Sequence, residues 1–159
     1  MAFDAWLNFI TAQAGVSAAL LGLLFIGMSL NLGKIVSIGS LTDRALTAMV
    51  LLFVILFLSS LLLMPGLTLF ARGLGVFAVG FVTWAGCTLL VLSSRKDQSR
   101  GRFAVQVFLL QIATLPYLVA GALLMGGQPS GMYWFAAAVL GSLLKALTEA
   151  WVLMIEINR

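Results

Sequence analysis

Five apolar stretches, each about 20 residues or longer, take up most of this chain, and they restrict its fold more than any other feature. They run approximately over Ala5–Leu32, Ala45–Met64, Gly73–Ser93, Phe103–Met125 and Met132–Met154. A helix of about 20 residues crosses the roughly 30 Å hydrocarbon core of a bilayer. Only the last stretch contains charge. The runs are apolar on every side rather than alternating at every second residue, which excludes barrel strands. Helices are then the only open choice, because they satisfy all backbone polar groups internally. Composition agrees: 62% of residues are hydrophobic and 9% charged, against about 45–50% and 25% in soluble domains. The expected fold is an all-α integral membrane bundle of five transmembrane helices in a single domain, 1–159. The alternative is four spans with an interfacial N-terminal helix.

The breaks between stretches carry turn chemistry. Gly33 to Arg44 holds Lys34, Gly39, Ser40, Asp43 and Arg44, with Ser40 and Asp43 spaced as a capping box for the second helix. Pro65-Gly66 ends that helix, and Arg72 marks the start of the third. Ser93 to Arg102 is the only strongly polar loop, and Gly126 to Gly131 forms a compact turn.

Alternating crossings sort the basic residues. Lys34, Arg44, Arg95, Lys96, Arg100, Arg102 and Arg159 fall on one side, and Arg72 alone on the other. By the positive-inside rule this bias predicts an N-terminus outside and a cytoplasmic C-terminus in a bacterial inner membrane. Trp6, Tyr133 and Trp134 fall at the outer boundary and Trp151 near the inner one, as interfacial aromatics should. The N-terminal stretch has Asp4 but no basic residue before Lys34, and its apolar run is too long for a signal-peptide core; it is expected to be retained.

Several chemistries are excluded or disfavoured. There is no His and a single cysteine, Cys87, so no intrachain disulfide forms and the usual ligand sets for zinc, haem or iron–sulfur clusters are missing. No cofactor is expected. No phosphate-binding glycine motif occurs. The basic residues are too dispersed for a nucleic-acid surface. A Ser142/Lys145 dyad at i,i+3 is the one conceivable catalytic pairing, but it lacks an oxyanion or substrate-entry signature; a non-enzymatic role is expected. An odd helix count also argues against an inverted-repeat transporter within one chain.

Helix contacts in membranes favour small residues. The first helix offers a seam of Thr11, Gly15, Ala18, Ala19, Gly22 and Ser29, and the last a seam of Ala138, Ser142, Ala146 and Ala150. Each serves either intrachain packing or a homo-oligomer contact. The third helix is loosened by Gly75, Gly80 and Gly86. The second, almost solid Leu, Val, Ile and Phe, is expected to be the most lipid-exposed. Pro116, in the fourth helix, removes an N–H and frees the carbonyl of Ile112, predicting a kink. Gln111, Thr114 and Tyr117 lie ready to satisfy the freed backbone.

The most informative polar feature is Lys145, Glu149 and Glu156, whose spacing puts them roughly on one face of the last helix. Ionisable residues in a span are costly and mark protein-facing or water-facing positions. Lys145 and Glu149 form an i,i+4 ion pair, or Lys145 snorkels to the surface, or the stripe lines a cavity, pore or partner surface. Asn31 falls at a matching depth and is expected to hydrogen-bond to Glu149 or Glu156. The loop cations Arg95, Lys96, Arg100 and Arg102 set topology or meet anionic lipid headgroups.

Gly22-Leu23-Leu24-Phe25 leading to Ser29-Leu30-Asn31-Leu32, with the ending Ala150-Trp151-Val152-Leu153-Met154-Ile155-Glu156, resembles a family of small bacterial multi-pass membrane proteins. Members of that family are sometimes labelled modulators of a membrane-bound protease. The resemblance covers the two ends of the chain, implies that Asn31 and Glu156 are family features, and brings no activity to transfer. Two functional readings follow: an oligomeric channel-like or transport assembly with its polar seam on the last helix, or an interaction or regulatory subunit of a larger membrane complex.

Overall fold

A computed structural model describes residues 4–37, 39–93 and 100–157. After a single 3-10 turn at Asp4–Trp6 come α1 (Leu7–Leu30), α2 (Leu32–Ser37), α3 (Gly39–Leu63), α4 (Leu69–Ser93), α5 (Arg100–Met125) and α6 (Gly131–Ile157). All but α2 are long and apolar enough to cross a membrane, α1 included. The described residues thus form an all-α bundle with five candidate spans, as the five-span reading expects.

The connections show why the helices stop where they do. Thr68 caps α4, its Oγ1 accepting the Ala71 N–H at 3.2 Å. Beyond α5, Gly127 takes φ +74°. The Gly127 N–H bonds to Leu124 O and the Gln128 N–H to Leu123 O, which closes the helix end in a Schellman arrangement. The Gly33–Arg44 break is mostly helical: α2 fills it, and α3 begins at Gly39, one residue ahead of the expected cap Ser40, whose side chain lies outside the described residues. Ile35 of α2 is buried with Leu41, Ala45 and Leu153, so an apolar anchor overrides the turn propensity of Gly33 and Gly39.

In space, α3, α4, α5 and α6 form a closed ring of neighbours, and α1 rests outside it against α3. The core joins Val54, Ile55, Leu58 and Leu62 of α3 to Val76, Tyr117, Leu124, Met132, Phe135 and Val139, with Ile10 of α1 reaching in. The expectation that the second span faces lipid is overturned. It is the most buried of the five, and α1 is the most exposed. The physical reason is that hydrocarbon does not sort Leu from Leu: a large apolar side chain suits lipid and a helix neighbour equally well.

Glycines permit the closest crossing. A Cβ on Gly80 would stand 2.7 Å from Tyr117 Cβ, and one on Gly121 only 2.6 Å from the Phe77 backbone nitrogen. Gly73 sits equally tightly against Met125, so α4 and α5 pack backbone to backbone. Gly75 faces only the flexible side chain of Leu61, and Gly86 faces open space.

Hydroxyls inside the spans are satisfied mainly by their own helix, as with Ser17 to Gln13 O at 2.7 Å, Thr83 to Val79 O at 2.7 Å and Thr114 to Leu110 O at 2.8 Å.

Candidate functional site

Three ionisable side chains from two helices meet within the apolar spans. Lys145 and Glu149, one turn apart on α6, are 1% and 4% exposed. Lys145 Nζ donates to Glu149 Oε1. Arg44, in the second turn of α3, donates from a guanidinium nitrogen to Glu149 Oε2 at 2.9 Å. Its side chain is 18% exposed. One carboxylate therefore bridges two cations, with both of its oxygens engaged. The i,i+4 pair expected from the sequence is present, and snorkelling of Lys145 is not what the side chain does. Arg44 is the residue the sequence reading missed, having counted it among the loop cations that set topology.

The formal charge of the triad is +1, one carboxylate against two cations. Burying charge in this way is favourable only as a complete set, because desolvation of a lone ion exceeds what any single contact returns. The arrangement fastens α6 to α3 across 105 positions of sequence. Thr148 Oγ1 donates to the Lys145 carbonyl at 2.7 Å, so the backbone of that turn is also engaged.

A second polar knot lies one turn earlier on α6. Ser142 Oγ is 3.1 Å from Ala113 O and 3.3 Å from the Tyr117 hydroxyl. Its one hydrogen serves the carbonyl, and its oxygen accepts from Tyr117, so both buried hydroxyls are satisfied. This uses the turn around Pro116, which α5 runs through unbroken. Gly141 approaches Ile112 O so closely that a Cβ there would stand 3.0 Å away. The flanking residues expected to serve the freed backbone do otherwise: Thr114 bonds Leu110 O, Gln111 Oε1 accepts Trp84 Nε1–H at 2.7 Å, and Tyr117 meets Ser142. Ser142 and Lys145 are each held by other partners and do not form a dyad.

Asn31 sits at the junction of α1 and α2. Its amide donates to Gly27 O at 3.1 Å rather than to Glu149 or Glu156, and its carbonyl accepts the N–H groups of Lys34 and Ile35. The expected link to α6 is not made: both Glu149 oxygens are engaged by Arg44 and Lys145, and the C-terminus of α1 offers Asn31 the Gly27 carbonyl close at hand. Glu156 is half-buried near the end of α6. Of the loop cations, Arg95 and Lys96 lie outside the described residues, as do the side chains of Arg100 and Arg102. Cys87 is buried in α4.

The two small-residue seams part company. Ala138, Ser142 and Ala146 are buried and Ala150 half-buried within the chain's own bundle. Thr11, Gly15, Ala18, Ala19, Gly22 and Ser29 are all exposed, and no atom lies within 4 Å of a Cβ built on Gly15 or Gly22. At about 100° per residue, this seam lies roughly opposite the face on which Ile10 and Ser17 are buried. Comparison with protein-family models, with curated proteins and with solved structures finds no match to this chain.

Proposed function

We propose that this protein is a non-enzymatic subunit of a bacterial inner-membrane assembly, N-terminus outside and C-terminus cytoplasmic, that docks to other transmembrane helices through the outward face of α1. The observation that carries this reading is the exposed seam Gly15/Ala18/Ala19/Gly22 on the one span left outside the four-helix ring. Small residues let two helix backbones approach closely, and close packing is what drives helix association in lipid. The docked helix belongs to a second copy or to a larger membrane complex; the membrane-protease label attached to the resembling family names one such complex.

The channel-like alternative draws its path past Lys145 and Glu149. Both carboxylate oxygens of Glu149 are engaged by Lys145 and Arg44 of the same chain, and this favours the docking reading. The experiment is in-membrane crosslinking. In a Cys87→Ser background, Gly22→Cys should give a disulfide-linked product on mild oxidation. Val82→Cys, at similar depth on an exposed face of α4, should give none. Absence of any product from Gly22→Cys in native membranes would exclude a second copy as the docked helix, and a mass unchanged by Ala18→Leu/Gly22→Leu would defeat the reading. Ion flux through reconstituted protein that changes in Lys145→Leu would favour the alternative.

A further inference from the structure

α1 and α6 touch at one end and part at the other. Trp6 meets Tyr133 edge-on, ring centroids 4.9 Å apart, and pins the start of α1 to the start of α6. Toward the other end a groove of about 460 Å³ opens between them, floored by Leu52 of α3. Its walls are apolar: Leu20, Leu24 and Met28 on one side, Ala146, Ala150 and Leu153 on the other. Asn31 is the one polar residue in the lining, and Ile35 of α2 lines the groove at that end.

The dimensions select the occupant. From Leu20 to Asn31 the groove follows α1 for about 16 Å, which matches one leaflet, about half of a 30 Å hydrocarbon core. A helix with side chains is about 10–12 Å across and runs the full thickness. The Trp6–Tyr133 contact blocks the crevice at its other end. An acyl chain fits both limits. The charge at the open end selects the headgroup: exposed Lys34 stands on α2 beside Ile35, at the end of the bundle where the sequence concentrates its cations.

We infer that the α1/α6 groove is a binding site for one anionic phospholipid, its acyl chain between the helices and its headgroup beside Asn31 and Lys34. The site is separate from the docking face proposed for α1, which lies on the opposite side of that helix, and the two readings fail independently.

The test is native mass spectrometry of the delipidated full-length protein titrated with phosphatidylglycerol or phosphatidylcholine. Wild type should retain one phosphatidylglycerol, with about fivefold preference over phosphatidylcholine, the ratio expected for one basic residue at an anionic headgroup. Gly27 lines the groove and has open space at its Cβ position. Gly27→Phe should abolish the retained lipid without lowering thermal stability, and Ala150→Leu, filling the groove from α6, should do the same. Lys34→Gln should bring the two lipids level, and Gly22→Leu should leave lipid retention unchanged. Equal retention by wild type and Gly27→Phe would overturn the site, as would equal affinity of wild type for both lipids. Loss of a dimer rather than of a lipid in Gly27→Phe would assign the groove to a second copy and overturn it too.

Discussion

Arg44 and Glu149, 105 positions apart in sequence, are joined at 2.9 Å between α3 and α6, on the side of the carboxylate that Lys145 leaves open. The arithmetic of this triad is uneven, and so are the consequences of breaking it. Glu149→Leu removes the carboxylate from beside the Lys145 ammonium, which is 1% exposed. It should cost about 3–5 kcal/mol, the usual penalty for orphaning a buried charge. Lys145→Leu and Arg44→Leu each leave a neutral pair and should cost distinctly less. Replacing all three by Leu or Met should recover most of the loss. Unfolding in detergent measures the series, and equal costs for the three single variants would contradict the shared-carboxylate account.

The glycine crossing makes a sharper local prediction. Gly121→Ala forces a Cβ into the Phe77 backbone and should destabilise by about 1–3 kcal/mol, the range for overpacking. Gly86→Ala, in the same helix pair but facing open space, should be neutral or slightly stabilising. Thermal midpoints in a single detergent separate the two.

Ser142→Ala leaves the Tyr117 hydroxyl buried without its acceptor. It should cost about 1–3 kcal/mol. Tyr117→Phe in the Ser142→Ala background should recover part of this, since removing both partners of a buried hydrogen bond is milder than removing one. Additive losses in the double-variant cycle would show that the two hydroxyls are not coupled.

Much of the fold was legible because a bilayer imposes a simple rule: long apolar runs become helices, and breaks fall at Pro65-Gly66 and Gly126-Gly127. Which face of each helix meets which neighbour was not legible. The second span reads as lipid-facing from its Leu, Ile, Val and Phe, yet Leu51, Ile55, Leu58 and Leu62 form the floor of the core. In a soluble protein, polarity would have marked the outer face; in lipid no such mark is needed. The Lys145–Glu149 pair was visible because both partners lie on one helix at a fixed spacing. Arg44 was not, because its role depends on the register of α3 against α6, which no local pattern encodes. The glycines that carry the α4–α5 crossing, Gly73 and Gly121 with Gly80, were likewise only partly visible, since spacing alone does not distinguish them from Gly86.

Orientation is testable by labelling. In the Cys87→Ser background, Ser130→Cys sits in the α5–α6 turn and Val36→Cys on α2, at opposite ends of the bundle. With the N-terminus outside, a membrane-impermeant maleimide should label Ser130→Cys in spheroplasts and Val36→Cys only after permeabilisation. The reverse pattern would invert the topology.

The central claim is that α1 presents its small-residue face to another transmembrane helix. The most direct measurement is the mass of the assembly released from native membranes in nanodiscs, compared between wild type and Ala18→Leu/Gly22→Leu. Both positions are exposed, so the substitutions leave the bundle intact. The account predicts that wild type travels with a second copy or a larger partner and that the double variant is released as a single chain of 17.0 kDa. A wild type already released as a single chain, or an assembly unchanged by the double variant, would contradict it.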